Sequence, residues 1–328
     1  MIKSGGEHSL GPHVVGQRVV VRRLLRGQTG PSGGPAMTDL LGVCETWGPE
    51  SAAVRAEDGR LVEIPLADIV SGKPVPPRPS RFSRMSADEV ELRATALFRP
   101  AHVERLGDWR LRYSGGTNGR PNSILPVGDP GMPLTEALDA AERFYAGHDR
   151  RPCAQVVVGS TVQVALEEVG WVRLRPDESD TEVQLAGIAA LSRALAGVET
   201  DEVGYDDTVR YDWLVGNESA QANFEVVSAT LALPDAAFVA VEHDGAQVAR
   251  GRVSLAEDWA FFGDLTVQPA ARRRGLARTV MAAVTEWSAE RGASVMLLQV
   301  LAANEPAQAL YASLGFERHH SYRYLTPA

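Results

Sequence analysis

Cysteine, lysine and long apolar runs are all scarce in this chain of 328 residues. Cys44 and Cys153 are the only cysteines and lie far apart, so we expect two unreactive thiols rather than a disulfide framework or a cysteine-based metal site. Lysine occurs twice against 31 arginines, a bias typical of a GC-rich bacterial genome. No run of eighteen apolar residues and no signal-peptide pattern is present, so we expect a cytoplasmic protein without a membrane partner.

The balance of charge and apolar residues limits the class of protein further. The net charge is -9, which argues against a protein built to coat nucleic acid, so the arginines must act locally if they bind phosphates. The apolar share is 44%, which is ordinary for globular proteins, and the length accommodates two or three domains.

Residues 13–76 have a different pattern of apolar and turn residues from the rest of the chain. This pattern predicts a small all-β barrel after a flexible stretch at 1–12. Short, partly alternating apolar runs are separated by Gly, Pro and Asp turns, with a flexible loop at 28–35 and a hairpin turn at 57–59. The pattern resembles an SH3-like or Tudor-like barrel. We interpret Trp47 as core, the alternative being a ligand-binding aromatic surface. Nucleic-acid binding by this barrel would depend on Arg22, Arg23 and Arg26 alone, and the acidic net charge disfavours it.

A proline-rich linker at 77–87 precedes two segments, 88–190 and 191–328, that present similar elements in the same order. In both, an apolar strand, a helix, a second strand, a short helix and a Gly-aromatic pair follow one another. We infer an internal repeat. In the first segment the loop after the strand reads G-D-P-G-M-P, with an acid and no arginine.

Residues 265–277 contain the strongest motif of the chain. They read L-T-V-Q-P-A-A-R-R-R-G-L-A, an apolar strand and a proline turn followed by a loop that opens a helix. The N–H groups of such a loop and the positive end of the helix dipole attract one anion, so the segment predicts a diphosphate cradle. Small residues allow the main chain to approach phosphate oxygens, and arginines add attraction. The residues concerned are Arg272, Arg273, Arg274, Gly275, Leu276, Ala277 and Arg278.

The spacing of Arg272, Gly275 and Ala277 resembles the [Q/R]-x-x-G-x-[G/A] signature of the GCN5-related N-acetyltransferases, the GNAT superfamily. Residues 304–316, N-E-P-A-Q-A-L-Y-A-S-L-G-F, are similar to that family's N-x-x-A-x-x-L-Y-x-x-x-G-F. The resemblance implies an α/β fold with a mixed central sheet flanked by helices, acetyl-coenzyme A as cosubstrate and no metal. A barrel followed by a degenerate and an intact repeat resembles actinobacterial enzymes described as N-acetylglutamate synthases and as histone-type acetyltransferases.

The resemblance also implies roles for individual residues. Leu265, Thr266 and Val267 would pair with the pantetheine arm, Asn304 would contact it, and Tyr311 would be the general acid for the thiolate. The alternative for Tyr311 is a half-buried aromatic that only packs. Asp264 is the nearest carboxylate for a base, with Glu225, Glu242 or a water chain as alternatives. We expect His319 and His320 at the surface.

The first repeat is predicted to be catalytically silent, because its loop lacks arginine and Leu166 stands where the second repeat has Tyr311. It would pack against the second repeat, which carries both motifs, and would shape the substrate cleft. Arg120, Asn122 and Ser123 either contribute to that cleft or satisfy their own loop.

The acceptor amine is less well defined by the sequence. Glutamate would need cationic partners, for which Arg120, Arg250 and Arg252 are candidates, with Asn122 as a further contact. A protein lysine would need an open acidic groove. A third alternative is a non-enzymatic acetyl-coenzyme A sensor whose barrel binds a partner. The oligomeric state is left open.

Overall fold

Two compact units, residues 1–81 and 82–328, make up the chain in this computed structural model. The structure describes residues 10–30, 33–56, 59–75, 82–95, 98–116 and 118–328. The predicted flexible start at 1–12 and the predicted linker at 77–87 therefore lie partly outside the described residues, as does most of the predicted turn at 57–59.

Five antiparallel strands form the first unit. Their order in the sheet is β4-β3-β2-β1-β5. The strands are β1 Arg18–Thr29, β2 Pro35–Trp47, β3 Ser51–Ala56, β4 Leu61–Pro65 and β5 Ile69–Pro74. Alternate side chains of β1 and β3 enter one apolar core, which includes Val19, Val21 and Val54, and Trp47 packs against that core. The interpretation of Trp47 as a core residue fits this packing.

Two of the three arginines considered for nucleic-acid binding are paired with carboxylates. The Arg22 guanidinium donates to Asp39 at 2.8 and 2.9 Å, and Arg26 donates to Asp68 at 2.8 and 3.0 Å. Because Arg22 and Arg26 already have acidic partners, these two side chains offer a phosphate little net attraction.

The second unit contains twelve strands and eight helices within its described residues. The strands are β6 His102–Leu106, β7 Trp109–Tyr113, β8 Ile124–Leu125, β9 Ala154–Val157, β10 Trp171–Arg173, β11 Thr181–Gly187, β12 Val203–Asp206, β13 Ala236–His243, β14 Ala246–Ala256, β15 Trp259–Val267, β16 Val295–Leu301 and β17 Glu317–Pro327. The helices are α1 Ala87–Thr95, α2 Leu134–Ala146, α3 Thr161–Glu168, α4 Ile188–Ala194, α5 Glu218–Ala222, α6 Phe224–Leu231, α7 Leu276–Glu290 and α8 Glu305–Leu314.

One continuous sheet runs through the second unit in the order β12-β13-β14-β15-β16-β11-β17-β9-β8-β7-β6, and β10 pairs with β17. The pairs β15/β16 and β8/β9 are parallel, each with a helix between its strands. We call β6 to β10 with α2 and α3 the first repeat, and β12 to β17 with α4 to α8 the second repeat. The same strand–helix–strand–helix–strand order thus occurs in both.

The two repeats share strands. β11 follows the first repeat in the chain, yet it lies between β16 and β17 of the second. The end of β17, at Tyr322 to Leu325, pairs in return with β9 of the first repeat. Each repeat therefore completes the sheet of the other, and neither has all its strands within its own segment.

Helices cover both faces of the second repeat. On one face α4, α7 and α8 bury Val280, Met281 and Leu314 against the sheet. On the other face α1, α5 and α6 cover Trp259, Phe261 and Phe238. Gly216 (φ +83°) separates a short 3-10 helix, Asp212–Leu214, from α5, and Asn217 is the N-cap of α5. β11 and α4 were not predicted.

Candidate functional site

A cleft opens where β15 and β16 separate. The two strands pair only from Trp259 with Val295 to Phe262 with Leu298. Beyond that point they diverge and leave a cleft of about 370 Å³. Its walls come from both repeats and include Asp264, Leu265, Asn304 and Tyr311 of the second and Arg120 of the first. The cleft thus brings together predicted catalytic, cosubstrate and acceptor residues.

A bulge in β15 presents Asp264 to the cleft. Arg250 pairs with Thr266 and Arg252 pairs with Gly263, so β15 has one more residue than β14 in this interval. Asp264 adopts φ +56°, a left-handed backbone conformation that is costly for a residue with a side chain. Its carboxylate is exposed and makes no hydrogen bond or ion pair within the described residues.

The loop before α7 offers a run of unused backbone donors. The N–H groups of residues 273–277 donate to no acceptor within the described part of the chain. They stand at the N-terminus of a 15-residue helix, where the helix dipole favours an anion. Arg273 has φ +61° and Gly275 has φ +82°, and these two left-handed residues form the turn into the helix. Such a turn is the backbone geometry that anion-binding loops use.

The four arginines of this loop differ in their contacts. Arg273 and Arg274 are exposed and make no side-chain interaction within the described residues. The Arg272 Nε donates to the Val267 carbonyl at 3.3 Å. The Arg278 side chain donates at 2.7 Å to the Ala194 carbonyl, at the end of α4. Arg278 therefore ties two helices together, whereas Arg273 and Arg274 are available to a ligand.

Tyr311 lies on α8 with its ring between Phe262 and Phe316. The ring centroids are 6.5 and 5.6 Å away, both in edge-to-face geometry. The residue is 6% exposed and lines the cleft, and its hydroxyl makes no hydrogen bond within the described residues. Burial raises the pKa of Tyr311 to about 12. The phenol is therefore neutral at physiological pH and has a proton to donate.

Asn304 caps the helix that carries Tyr311. Its side-chain oxygen accepts from the Ala307 N–H at 3.3 Å, which satisfies one of the free donors at the start of α8. The amide NH₂ of Asn304 faces no acceptor within the described residues and can donate to a molecule in the cleft.

The four predicted acceptor contacts separate into different environments. Arg120 lines the cleft, and its Nε donates to the Tyr322 hydroxyl at 3.0 Å. Arg252 is fully buried beside Phe98 and Phe261, and this burial lowers its pKa to about 10. Arg252 does not line the cleft, and neither do the other two candidates.

Arg250 and Asn122 instead hold the backbone of loops. Arg250 Nη1 donates to the carbonyls of Trp213 and Val215, both at 2.6 Å. The Asn122 oxygen accepts from two N–H groups at 2.9 and 3.0 Å, and its NH₂ donates to two carbonyls at 2.7 Å. Ser123 is also buried, where it accepts from Arg112 at 2.8 Å. The structure does not bring these three residues into the cleft.

Other acids and the two histidines lie elsewhere. Glu225 and Glu242 are exposed and do not line the cleft. The expectation of surface histidines is wrong for His320, whose side chain is 8% exposed and lies 2.9 Å from Glu91. His319 is half-buried, and burial together with His320 lowers its pKa. Both were misplaced because α1, distant in sequence, covers the start of β17.

Several cleft residues were not anticipated from the sequence. Tyr322 donates to the Gln299 side-chain oxygen at 3.2 Å while it accepts from Arg120, so these three polar side chains form one hydrogen-bonded row. The connection from β10 to β11 adds a further group. The unanticipated lining residues are Arg175, Glu178, Thr181, Gln299, Tyr322 and Tyr324. No motif marks them, because strand sharing between the repeats brings them there.

Within the described residues, no cluster of His, Cys, Asp and Glu has the geometry to hold a metal ion. None of the helices in the described part of the chain has the length and apolar character needed to cross a membrane.

Comparison with known families identifies the chain. Residues 89–325 match the family described as "Probable histone acetyltransferase Rv0428c C-terminal". The chain belongs to the Rv0428c family. Residues 13–73 match the Rv0428c N-terminal Sm-like domain, so the small all-β unit is confirmed, whereas the SH3-like or Tudor-like assignment is not. No curated protein matches the chain.

Solved structures support the same fold. A GCN5-related N-acetyltransferase from Kribbella flavida is 18% identical, with 76% of this chain and 96% of that chain covered and a TM-score of 0.53. A tandem GNAT protein from the clavulanic acid biosynthesis pathway is also 18% identical, with 73% and 87% covered and a TM-score of 0.50. The predicted GNAT fold is confirmed, and the chain is an acetyltransferase.

Proposed function

We propose that the chain is an acetyl-coenzyme A-dependent N-acetyltransferase that acts on a small primary amine, with a free amino acid such as glutamate as the preferred acceptor. The observation that supports the proposal is that two features lie next to each other, a run of free backbone donors and a cleft. The run of free N–H groups at 273–277 begins the helix α7, and the cleft with Tyr311 and Asp264 opens beside the strand that leads to it.

The diphosphate of acetyl-coenzyme A would lie on the loop. Its oxygens would accept from the free N–H groups, and Arg273 and Arg274 would add charge-assisted bonds. The pantetheine arm would follow β15, because the side of residues 263–267 that faces away from β14 has no partner strand in the described part of the chain. Unpaired strand groups can accept an extended chain as an added strand, so Leu265, Thr266 and Val267 would bind it through the backbone.

The reaction needs a neutral amine and a stabilised leaving group. The acceptor ammonium loses one proton, which the Asp264 carboxylate in the cleft would accept. The amine nitrogen then attacks the thioester carbonyl carbon, the carbon–sulfur bond breaks, and the nitrogen loses its second proton as the sulfur gains one. N-acetylated product and free coenzyme A result.

Tyr311 would act at the sulfur. A free thiol has a pKa of about 8.5, well below that of the buried phenol, so the phenol remains protonated beside a thiolate. It would donate a hydrogen bond to the developing negative charge, and this interaction strengthens as the carbon–sulfur bond breaks.

The first repeat supports this assignment by what its loop lacks. The Asp129 N–H donates to the Asp108 carboxylate at 3.0 Å, and the Gly131 N–H donates to the Asp129 carboxylate at 2.7 Å. These loop donors are already satisfied by acids, and an anion would meet negative charge there. We therefore infer that residues 88–190 form a degenerate domain and residues 191–328 the catalytic domain, with one cosubstrate site.

A protein lysine is the second candidate acceptor, favoured by the description of the matching family as a probable histone acetyltransferase. Release of coenzyme A, followed across free amino acids, polyamines and basic peptides, tests both acceptors. Saturable release with glutamate or another amino acid, and little with peptides, supports the first proposal. Release only with peptides would replace it with the second, and no release with any amine would contradict both.

A further inference from the structure

The connection between β10 and β11, residues 174–180, forms one wall of the cleft although it belongs to neither predicted motif. Arg175 and Glu178 from this connection line the same cleft as Asp264 and Tyr311. A segment that follows the first repeat in the chain therefore meets the catalytic residues of the second.

The base of this connection is firmly held. The Asp180 carboxylate accepts from Arg323 at 2.8 and 3.1 Å and also from Arg173. Its backbone carbonyl accepts from the Ala302 N–H at 2.9 Å, and the Ser179 hydroxyl accepts from the Ala303 N–H at 3.0 Å. Residues 302 and 303 directly precede α8, the helix that carries Tyr311. The connection is thus fixed to the same backbone that positions the proposed acid.

At the tip of the connection, the hydrogen bonds that Arg175 and Glu178 make within the described residues are to each other. Arg175 Nη1 lies 3.0 Å from the Glu178 carboxylate, and the Glu178 N–H donates to the Arg175 carbonyl at 3.2 Å. The two side chains are 51% and 38% exposed. Exposed ion pairs typically shift an equilibrium by no more than about fivefold, so Arg175 can exchange its partner readily.

The charges in the cleft complement an amino acid. Two cations, Arg120 and Arg175, and two anions, Asp264 and Glu178, line it. The Asp264 carboxylate makes no hydrogen bond or ion pair within the described residues and suits an ammonium group. Glu178 already presents a carboxylate to Arg175, in the way that a substrate carboxylate would. A guanidinium binds such a group in a planar two-point geometry.

We propose that Arg175 is a specificity-determining residue that binds the carboxylate of the acceptor, and that Glu178 occupies this position until the acceptor displaces it. The proposal rests on the proposed function and narrows its acceptor to amines that carry a carboxylate. Polyamines and simple alkylamines would lack the group that Arg175 recognises.

Kinetics of three variants with L-glutamate and with n-butylamine test the proposal. R175Q should raise KM for glutamate roughly tenfold to a hundredfold, the value of a charge-assisted bond, and leave unchanged the weaker transfer to butylamine, which has no carboxylate for Arg175. E178Q should lower KM for glutamate by up to about fivefold, because the internal competitor is gone. R193Q changes an exposed arginine on α4 outside the cleft. It should change neither the KM for glutamate nor the kinetics with butylamine.

Two results would overturn the inference: a KM for glutamate within twofold of the parent in R175Q, or a raised KM in E178Q. If the parent transfers acetyl to no amine, the proposed function fails by itself. Calorimetric titration of glutamate and other amino acids into the parent and R175Q, with coenzyme A present, then decides the binding role. Binding that R175Q weakens at least tenfold supports it, and equal or absent binding refutes it.

Discussion

Gly251 on β14 stands opposite the bulge that carries Asp264 on β15. A Cβ at position 251 would lie 2.5 Å from Val280 Cγ1 and 3.0 Å from the Phe262 ring, so the absence of a side chain lets α7 approach the sheet there. The flanking pairs, Arg250 with Thr266 and Arg252 with Gly263, fix where the extra residue falls. The position of the Asp264 carboxylate is therefore set by backbone pairing and by helix packing rather than by contacts of the carboxylate itself.

Gly275 should be required for acetyl-coenzyme A binding, and Gly292 provides a matched control at the other end of α7. Both have φ +82°, and among the described residues no atom lies within 4 Å of an added Cβ. Alanine at either position should therefore lower the free energy of unfolding by a similar amount, roughly 1 to 2 kcal/mol, through backbone strain. Only at 275 would the methyl group also stand between the main chain and the phosphates. We expect G275A to weaken binding at least tenfold by calorimetry and G292A to leave it unchanged. Equal affinities would place the diphosphate elsewhere.

Tyr311→Phe should reduce turnover far more than cosubstrate affinity. The ring and its packing remain, so only the hydrogen bond to the leaving sulfur is lost, and removal of one such donor to a developing negative charge typically lowers kcat about a hundredfold to a thousandfold. Steady-state kcat and the Kd for acetyl-coenzyme A measure the two effects separately. A kcat within about threefold of the parent would make Tyr311 a packing residue.

The pH profile offers an independent check on Tyr311. Its pKa is raised to about 12 by burial, so the phenol keeps its proton up to that pH. Between roughly pH 8 and 10 the phenol should not titrate. We therefore expect kcat of the parent and of the Tyr311→Phe variant to change with pH in the same way over this range. An alkaline decline centred near pH 10 in the parent and absent from the variant would mean that the phenol titrates normally.

The chain should bind one acetyl-coenzyme A. In the first repeat two loop N–H groups are already bonded to the carboxylates of Asp108 and Asp129, and Leu166 is a fully buried core residue where the second repeat has Tyr311. Calorimetric stoichiometry should be one cosubstrate per chain in the parent, and G275A should weaken that single site. A second site that persists in G275A would show that the first repeat also binds.

Removal of His320 should destabilise the protein strongly. The His320 Nε2 donates to Glu91 at 2.9 Å and the other Glu91 oxygen accepts from Gln155 at 2.7 Å, all within the interior. His320→Leu leaves the buried Glu91 oxygen without its hydrogen-bond donor, and such a loss typically costs about 1 to 3 kcal/mol, and more when the acceptor is a charged group. The control, Asp212→Asn, removes an exposed partner of Arg210 and should change stability by less than about 0.5 kcal/mol.

Chemical denaturation measures both free energies of unfolding. Addition of Glu91→Leu to His320→Leu should recover part of the loss, because the unpaired charge is then absent as well. A cost below about 1 kcal/mol for His320→Leu would mean that water reaches the pair and solvates Glu91.

Features encoded by neighbouring residues were predictable. The strand, turn and loop at 265–277 and the motif at 304–316 depend on turn chemistry and on apolar spacing within a short window. The environments of Arg250 and Arg252 are not encoded by neighbouring residues. They are two residues apart on one strand and chemically identical, yet one holds the carbonyls of Trp213 and Val215 and the other is buried beside Phe98.

The sequence by itself determined the superfamily, the arginine-rich loop that opens α7 and the placement of Tyr311 on the helix after Asn304, because each depends on residues that are adjacent in the chain. Only the tertiary structure decided the composition of the cleft. β11 pairs with β16 and β17 across more than a hundred residues, and that pairing carries Arg175 and Glu178 to Asp264. Strand pairing between distant segments depends on which edges remain open after the whole sheet has formed, and no local pattern records that outcome.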